Sequence, residues 1–499
     1  MQSIAVITIV FAIYWGAVEL LKRRGLFERY NISIIGPVLM IRTKKGLNLL
    51  EKLSKWRRFW RIFADFGLPA VFLGMGFMFS LILLTDYILF TRPPEPSALT
   101  NPKNVLLLPG INDYIPFLWG LIGLVVTLVV HEFSHAILCR VEGVKVKSLG
   151  ILLALIPIGG FAEPDEAELT DKNKVTRRQR VRIYSAGVVS NFAVAAVSFA
   201  MFIYLLNFLT PTVIVIDSDI KGVEPGSVVV EINGIKVKTQ EDVYKAINNT
   251  ERVSFLIKKG QETKSIAVPN IRGVKIAKLY RLDGQTFPAE EAGMKEGMII
   301  VKINNTPIKT PQDFQKIMSQ TKPGQMLKIA VFHNGTYKSF NVTLANLNGR
   351  GFLGVYVQTT DYIGGLSLGY SSVILDELKS IPEKLKSARG WIYLVAMPFL
   401  RFQGFTGMLT EFFEAPAEVF WLLNLFYWIG WLNFYVGLFN CLPAIPLDGG
   451  RIFHETFSYI LARKYGDKAD EVSSKIVKTF AIIVFTSILL SIVIPNIPR

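Results

Sequence analysis

The chain has 499 residues, of which 51% are hydrophobic and 19% are charged, and its mean hydropathy is +0.37. This composition is typical of a membrane protein and excludes an ordinary water-soluble enzyme. The net charge of +16 does not indicate a nucleic-acid partner, because the Lys and Arg residues cluster beside apolar segments, where they mark membrane topology.

Six uncharged apolar segments predict transmembrane helices, since each marks a stretch that crosses a hydrocarbon layer of about 30 Å. The segments are residues 4–18, 66–85, 114–130, 183–209, 419–441 and 479–494. The loop at 22–61 carries twelve Lys or Arg, whereas the loop at 86–113 carries two. The positive-inside rule therefore places the first loop in the cytoplasm, and both chain ends and the polar region after residue 209 outside.

The third predicted span continues into His131-Glu132-Phe133-Ser134-His135. Residues four positions apart share one helix face, so His131 and His135 can both reach one Zn²⁺, and Glu132 is placed to activate water at the metal. Two of the four histidines lie in this membrane segment. Ionisable residues are costly there, which favours a functional site with one zinc ion per chain over a chance match.

The topology also predicts where a third metal ligand lies. At about 1.5 Å per residue, the third span carries His131 about 26 Å from its outer end, toward the cytoplasmic side. The fifth span also runs inward, and Pro443 and Pro446 interrupt it just beyond residue 440, where regular helix cannot continue. We therefore expect Asp448 to complete the site.

The two motifs together resemble those of the site-2 proteases, which are intramembrane zinc metalloproteases with H-E-x-x-H on one core helix and Asn-x-x-Pro-x-x-x-Leu-Asp-Gly on another. The second motif matches at Asn440, Pro443, Leu447, Asp448 and Gly449. The resemblance implies that His131, His135 and Asp448 bind zinc. It also implies that Glu132 is the general base and that Asn440 helps to hold the substrate backbone.

Two further elements carry the same resemblance. Pro157-Ile158-Gly159-Gly160-Phe161 resembles the Gly-rich loop that dips into the membrane beside the active site of this family. A strand there would pair with an unfolded substrate through Gly159 and Gly160; an ordinary interfacial turn is the alternative. Residues 187–191 resemble the family's Gly-Pro-x-x-Asn element, with Val188 in place of proline. Asn191 keeps its expected position, and the resemblance implies that it contacts the substrate.

An internal repeat lies in the predicted outer region. Residues 226–247 align without gaps on residues 297–318, at an offset of 71 positions. The pattern of strand, Ile-Asn turn, strand and helix resembles PDZ domains, whose grooves bind extended peptides by strand addition. Few residues precede the first copy, so it is incomplete, permuted or a packing partner of the second. The pair either gates substrate access or acts as a rigid spacer.

These predictions divide the chain into six parts. We expect N-terminal membrane helices and a basic loop at 1–113, the first half of the protease core at 114–209, PDZ-like domains at 210–270 and 271–350, a connector at 351–418, and the second half of the core at 419–499. The connector contains an apolar stretch at 392–400 that is too short to cross a bilayer. It is either an interfacial helix or gate, or a packed connector.

The predicted fold is a polytopic α-helical membrane protein of about six transmembrane helices with an inserted pair of α+β PDZ-like domains. The predicted function is zinc-dependent hydrolysis of transmembrane protein substrates in the cell membrane, in contact with lipid. The active site is expected toward the cytoplasmic side and the PDZ-like domains outside. The alternative is a catalytically silent scaffold that captures peptides. A transporter is disfavoured, because no repeat occurs among the membrane segments.

Overall fold

The computed structural model describes residues 2–29, 32–44, 46–97, 100–104, 107–154, 156–248, 250–282, 285–400 and 402–497. The chain divides into two compact units. Unit 1 comprises Met1–Tyr204, Val395–Gly404 and Trp421–Arg499, and unit 2 comprises Leu205–Leu394 and Phe405–Phe420.

The α-helices of the described residues vary from one turn to 35 residues. They are α1 (Gln2–Arg23), α2 (Leu26–Arg29), α3 (Leu47–Ser54), α4 (Arg57–Thr91), α5 (Phe117–Val141), α6 (Glu166–Thr170), α7 (Arg177–Leu205), α8 (Gln240–Ala246), α9 (Pro288–Glu291), α10 (Pro311–Ser319), α11 (Ser371–Lys379), α12 (Ile381–Lys384), α13 (Ala388–Leu400), α14 (Met408–Glu411), α15 (Ala417–Asn440), α16 (Asp448–Tyr465) and α17 (Ala469–Val493).

The strands are mostly short and fall in both units. They are β1 (Ile32–Ile35), β2 (Val38–Thr43), β3 (Val146–Ala154), β4 (Ile156–Pro164), β5 (Thr210–Pro211), β6 (Val213–Ser218), β7 (Val228–Ile232), β8 (Ile235–Lys236), β9 (Arg252–Lys259), β10 (Glu262–Pro269), β11 (Arg272–Leu279), β12 (Ile299–Ile303), β13 (Thr306–Pro307), β14 (Met326–His333), β15 (Thr336–Thr343), β16 (Ala345–Leu347), β17 (Arg350–Phe352), β18 (Val355–Val357), β19 (Asp361–Ile363), β20 (Leu366–Tyr370) and β21 (Phe413–Glu414).

Five helical segments of the described chain are long and apolar enough to cross a membrane. They are Arg57–Thr91, Phe117–Val141, Arg177–Phe208, Ala417–Asn440 and Asp448–Asn496. These segments overlap five of the six predicted spans, which confirms a membrane protein with a helical core. The remaining span, at residues 4–18, lies in α1 and stays a prediction, because the side chains of residues 1–10 are outside the described part of the chain.

Unit 1 also contains a four-stranded antiparallel sheet in the order β1-β2-β3-β4. The hairpin β1–β2 lies within the basic loop predicted at 22–61, for which no secondary structure was predicted. Its strands have only four and six residues and lie between Lys- and Arg-rich stretches, so the apolar pattern is too short to stand out. In this sheet β4 is an edge strand, and it packs beside α5.

In unit 2, the two segments aligned by the 71-residue offset adopt the same elements. β7 and β12 have five residues each, and the turns that follow contain Asn233 and Asn304, both with φ of 51°. Asn tolerates this left-handed conformation better than most residues. Thr239 and Thr310 then cap α8 and α10 in matching capping boxes, so equal local chemistry produces equal local structure.

The two copies share one continuous sheet with the order β10-β9-β7-β6-β20-β19-β11-β12-β14-β15. The hairpin β19–β20 lies in the predicted connector, yet Ile363, Leu366 and Leu368 are buried in the core of the first copy. Residues beyond the boundary predicted at 350 therefore contribute to the core of the first copy. A permuted first copy, one of the three predicted alternatives, would have this arrangement.

An ion-pair cluster joins the strands of the two copies. Lys275 Nζ of β11 lies 2.8 Å from Asp217 Oδ2 and 2.7 Å from Asp219 Oδ1. The hydrogen bond from Lys275 lowers the pKa of Asp217 below its ordinary value of 3.8. Because the charged carboxylate is favoured in the folded state, it stabilises unit 2 above the unfolded-state pKa, and that stabilisation is lost as the pH falls through the lowered pKa.

We therefore expect the melting temperature of unit 2 to fall as the pH is lowered below about 4, and to fall less in Lys275→Met, which has already lost the pair. Differential scanning calorimetry of the detergent-solubilised chain between pH 3 and 7 measures this. Lys278→Met removes the same charge from an exposed position of β11 and serves as the control. Equal pH profiles for the two variants would contradict the assignment.

Candidate metal centre

Three side chains from two distant parts of unit 1 converge on one point. His131 and His135 lie one turn apart on α5, and Asp448 is the first residue of α16. Asp448 Oδ2 lies 3.1 Å from each histidine Nε2, and the two Nε2 atoms are 3.2 Å apart. The three side chains are only 9–13% exposed, so water reaches this point sparingly.

The helix that precedes Asp448 ends where the prolines predict. α15 ends at Asn440, residues 441–447 are non-helical, and α16 begins at Asp448. Proline has no N–H for a helical hydrogen bond, and its ring clashes with the preceding turn. The break turns the chain, so the carboxylate at the start of α16 meets the histidines of α5.

The donor set fits a zinc ion. Zinc takes imidazole nitrogen and carboxylate oxygen at 2.0–2.2 Å in tetrahedral geometry, which places ligand atoms about 3.3 Å apart. The three separations of 3.1, 3.1 and 3.2 Å are close to that spacing. Three protein ligands leave a fourth position, which is the arrangement of catalytic rather than structural zinc sites.

The other ring nitrogens of both histidines are fixed by hydrogen bonds. His135 Nδ1 donates to the carbonyl oxygen of Ile183 at 2.7 Å, which leaves the lone pair of Nε2 for a metal. His131 Nδ1 lies 3.1 Å from Nδ2 of Asn191, a fully buried residue. Asn191 Oδ1 has no partner among the described residues. Exchanging Oδ1 and Nδ2 by a half-turn of the amide gives Oδ1 a partner, because it then accepts from Nδ1–H of His131, and the same tautomer results as in His135.

Gly187 makes this approach of α7 to α5 possible. A Cβ at position 187 would lie 2.5 Å from His131 Cε1 and 2.5 Å from His135 Nε2, far inside contact distance. Gly187 is the glycine of the Gly-Pro-x-x-Asn resemblance, and no role was predicted for it, although it precedes Asn191 by one helical turn and so shares its face. That spacing was the available signal. The carbonyl of Ile183, one turn earlier again, carried no side-chain signal.

Glu132 is held by the edge strand β4. The backbone N–H of Ala162 donates to Glu132 Oε2 at 3.0 Å. A Cβ at Gly160 would lie 2.8 Å from Glu132 Cγ, so glycine leaves room for the carboxylate against the strand. Ala162 was not predicted as a site residue, because a backbone N–H has no side-chain signature in a sequence.

Gly159 and Asn440, the remaining predicted site residues, lie in different places relative to the three candidate ligands. Gly159 lies on β4 beside Leu152, at the wall of an apolar cavity of about 180 Å³ that also includes Glu132 and Gly160. Asn440 is the last residue of α15, and its Nδ2 donates to the Val436 carbonyl of the same helix. Among the described contacts, Asn440 makes none with the three ligands, so its substrate role stays a prediction.

The chain is similar to known peptidases and to related proteins. The family model described as "Peptidase family M50" matches residues 119–484, which is more than half of the chain. An uncharacterized protein of Methanocaldococcus jannaschii is 32% identical, over 48% of this chain and 63% of that protein, so the chain spans less than two thirds of its length. A putative zinc metalloprotease of Clostridium acetobutylicum is 23% identical, over 74% and 93%. The regulator of sigma-E protease of Salmonella typhimurium is 22% identical, over 72% and 95%.

We predict that Gly187→Ala lowers the zinc affinity of the chain at least tenfold, because the methyl group pushes the imidazoles out of position, as loss of a supporting contact does in other metal sites. Zinc content after dialysis against graded chelator, measured by mass spectrometry, gives this affinity. Gly76→Ala is the matched control, since its added Cβ would meet nothing within 4 Å. Unchanged zinc affinity in Gly187→Ala would contradict the described packing.

Proposed function

The chain belongs to peptidase family M50 and is a membrane metalloprotease; on that premise we propose that it is an intramembrane zinc protease. Its proposed reaction is hydrolysis of peptide bonds within or near the transmembrane segment of single-span membrane proteins. One observation carries the proposal: two imidazoles and one carboxylate converge at 3.1–3.2 Å, beside Glu132, on helices apolar enough to lie in a membrane.

We propose distinct roles for the residues of the site. His131, His135 and Asp448 would hold one zinc ion, and this Lewis acid would polarise the scissile carbonyl and lower the pKa of water to about 7. Glu132 accepts the proton of the attacking water at a carboxylate oxygen and then donates it to the leaving amide nitrogen. The Ala162 N–H at 3.0 Å holds that carboxylate in place, and a charge-assisted hydrogen bond of this kind is comparatively strong.

The edge strand β4 supports an extended substrate. Its Ala162 N–H points away from β3, toward Glu132, and Gly160 lies two residues earlier in the same ladder. By the alternation of an antiparallel pair, the N–H and C=O of Gly160 also face the open edge. A substrate strand paired there would bring a peptide bond beside Glu132, and it must first leave its helix, because helical hydrogen bonds occupy its carbonyls.

The cavity beside Glu132 supports an apolar substrate side chain. Its lining includes Val125, Leu128 and Leu149, and its volume is about 180 Å³. A dry apolar cavity of about 150 Å³ holds a benzene molecule, so this one suits a side chain of Leu or Phe size. Successive side chains of a strand point to opposite faces, so every second residue of a substrate on β4 would face α5 and this cavity.

The proposed topology follows the charge pattern of the sequence. The basic loop at 22–61 lies in the cytoplasm, the metal centre lies toward that side, and unit 2 lies outside the cell membrane. We propose that the two copies in unit 2 are PDZ-like modules whose partners are extended peptides. A catalytically silent scaffold would need only those modules, and it does not account for the arrangement of the three candidate ligands beside Glu132.

We predict that Glu132→Gln lowers cleavage of a single-span model substrate in liposomes by a factor of 10² to 10⁴, the usual contribution of a general acid-base group. Bound zinc should stay at one per chain, because Glu132 is not a ligand. Glu166→Gln, an exposed position on α6, is the control and should cleave normally. Persistent cleavage by Glu132→Gln would remove Glu132 from the mechanism.

A further inference from the structure

Two largely buried arginines near the start of α7 connect it to both helices that carry the candidate ligands. Arg180 and Arg182 are two positions apart, so they project from different sides of α7. Arg180 forms an ion pair with Glu455 of α16, and Arg182 forms one with Glu142 at the end of α5. All four residues belong to unit 1. One helix is thus joined to each ligand-bearing helix through a charged pair.

The positions of the two glutamates match the positions of the ligands. Glu455 follows Asp448 by seven residues on α16, and Glu142 follows His135 by seven residues as the C-cap of α5. Seven residues are two helical turns, so each carboxylate lies on the same side of its helix as the ligand, about 10 Å further along the axis. Each ligand-bearing helix is therefore attached to α7 two turns from the metal centre.

The Arg180 guanidinium has a protein partner at each of its three nitrogens. Nε and Nη2 donate to the two carboxylate oxygens of Glu455 at 2.6 and 3.0 Å, and Nη1 donates to the Val175 carbonyl at 2.7 Å. The Arg180 and Glu455 side chains are only 6% and 14% exposed. A bidentate pair fixes the relative orientation of its two planar groups. Removing one partner would leave the other charge buried and uncompensated.

The Glu142 carboxylate has a side-chain exposure of 0% and accepts hydrogen bonds from three residues. Arg182 Nη1 donates to Oε1 at 3.1 Å, while Arg61 Nη2 and Gln179 Nε2 donate to Oε2 at 2.9 and 3.0 Å. Arg182 Nε also donates to Asp65 Oδ1 of α4 at 2.7 Å. These bonds fix the end of α5 against both α4 and α7.

The stretch of α16 between Glu455 and the metal centre transmits position rather than absorbing it. α16 is one continuous helix from Asp448 to Tyr465, so a shift at Glu455 moves Asp448 with it. One turn from Asp448, the Arg451 guanidinium lies 5.5 Å from the centre of the Tyr184 ring of α7. The two helices therefore stay in contact from the ion pair up to the first turn of α16.

We propose that Arg180 and Arg182 are positioning residues of the metal centre. Their ion pairs with Glu455 and Glu142 hold Asp448 and the two histidines at zinc-binding separations. The ligands come from two helices that are about 300 residues apart in the sequence, and α7 gives both helices a common support. This inference rests on the proposed function, because it assigns roles in the metal centre of that protease.

The test compares the zinc affinities of the purified full chain and its variants by competition with a chelator. Arg180→Gln, Glu455→Gln and Arg182→Gln should each lower the affinity at least tenfold, as loss of supporting contacts does in other metal sites. Because Arg180 and Glu455 act as one pair, the double variant should stay within threefold of either single variant. The visible absorption of the cobalt(II)-substituted site should change in each variant, since it reports the ligand geometry.

Arg178→Gln is the matched control. Arg178 lies on the same turn of α7, is 74% exposed and forms an ion pair with Asp65. The substitution removes the same charge, and zinc affinity should stay within twofold of that of the wild type. If calorimetry shows that Arg180→Gln does not fold, Arg180→Lys replaces it. Lysine keeps the charge but loses the bidentate geometry, so at least a threefold loss is expected.

Zinc affinity separates positioning from general stabilisation of the fold. A lower melting temperature with unchanged zinc affinity and an unchanged cobalt spectrum in Arg180→Gln and Arg182→Gln would overturn the inference and leave the proposed protease intact. An equal loss of affinity in Arg178→Gln would overturn it as well. A wild-type chain that binds no zinc would contradict the proposed function itself, and the inference with it.

Discussion

The convergence of His131, His135 and Asp448 in unit 1 is the constraint on which the rest of the site depends. Polar and ionisable groups inside an apolar bundle are costly unless they are paired or bind a metal. Several features of the fold position these three side chains. The proline break after α15 delivers the carboxylate, and Gly187 lets α7 approach closely enough for Asn191 and the Ile183 carbonyl to fix the imidazoles.

The candidate metal centre lies beside an edge strand. Ala162 of β4 holds Glu132, and no strand among the described residues pairs with the outer edge of β4. In the proposed function, catalysis and substrate alignment therefore use one element. In unit 2 two strand edges differ: β19 pairs with the edge of β20, whereas among the described residues β18 pairs with β11 alone.

The local chemistry of the sequence predicted much of this structure. The spacing of His131 and His135, the prolines beyond Asn440 and the strand, turn and helix pattern of the repeat each depend on nearby residues, and the structure contains the expected elements. Features that depend on distant partners were not predictable. The hairpin β1–β2 owes its place to β3, more than 100 residues later, and β19–β20 completes a core begun 150 residues earlier.

Backbone groups form a second class that sequence analysis missed. The Ala162 N–H and the Ile183 carbonyl position Glu132 and His135, but every residue has such groups, so no residue type marks them. Gly187 was visible in the sequence, yet its importance lies in the absence of atoms next to two histidines on another helix. Only the packing of α7 against α5 reveals it.

X-ray absorption spectroscopy at the zinc edge of the purified chain tests the central claim most directly. The account predicts two imidazole nitrogens and a carboxylate oxygen at about 2.0–2.2 Å, and an altered oxygen shell in Asp448→Ala. A sulfur ligand at about 2.3 Å, which only Cys139, Cys441 or a methionine could supply, or a spectrum with a single imidazole, would contradict it.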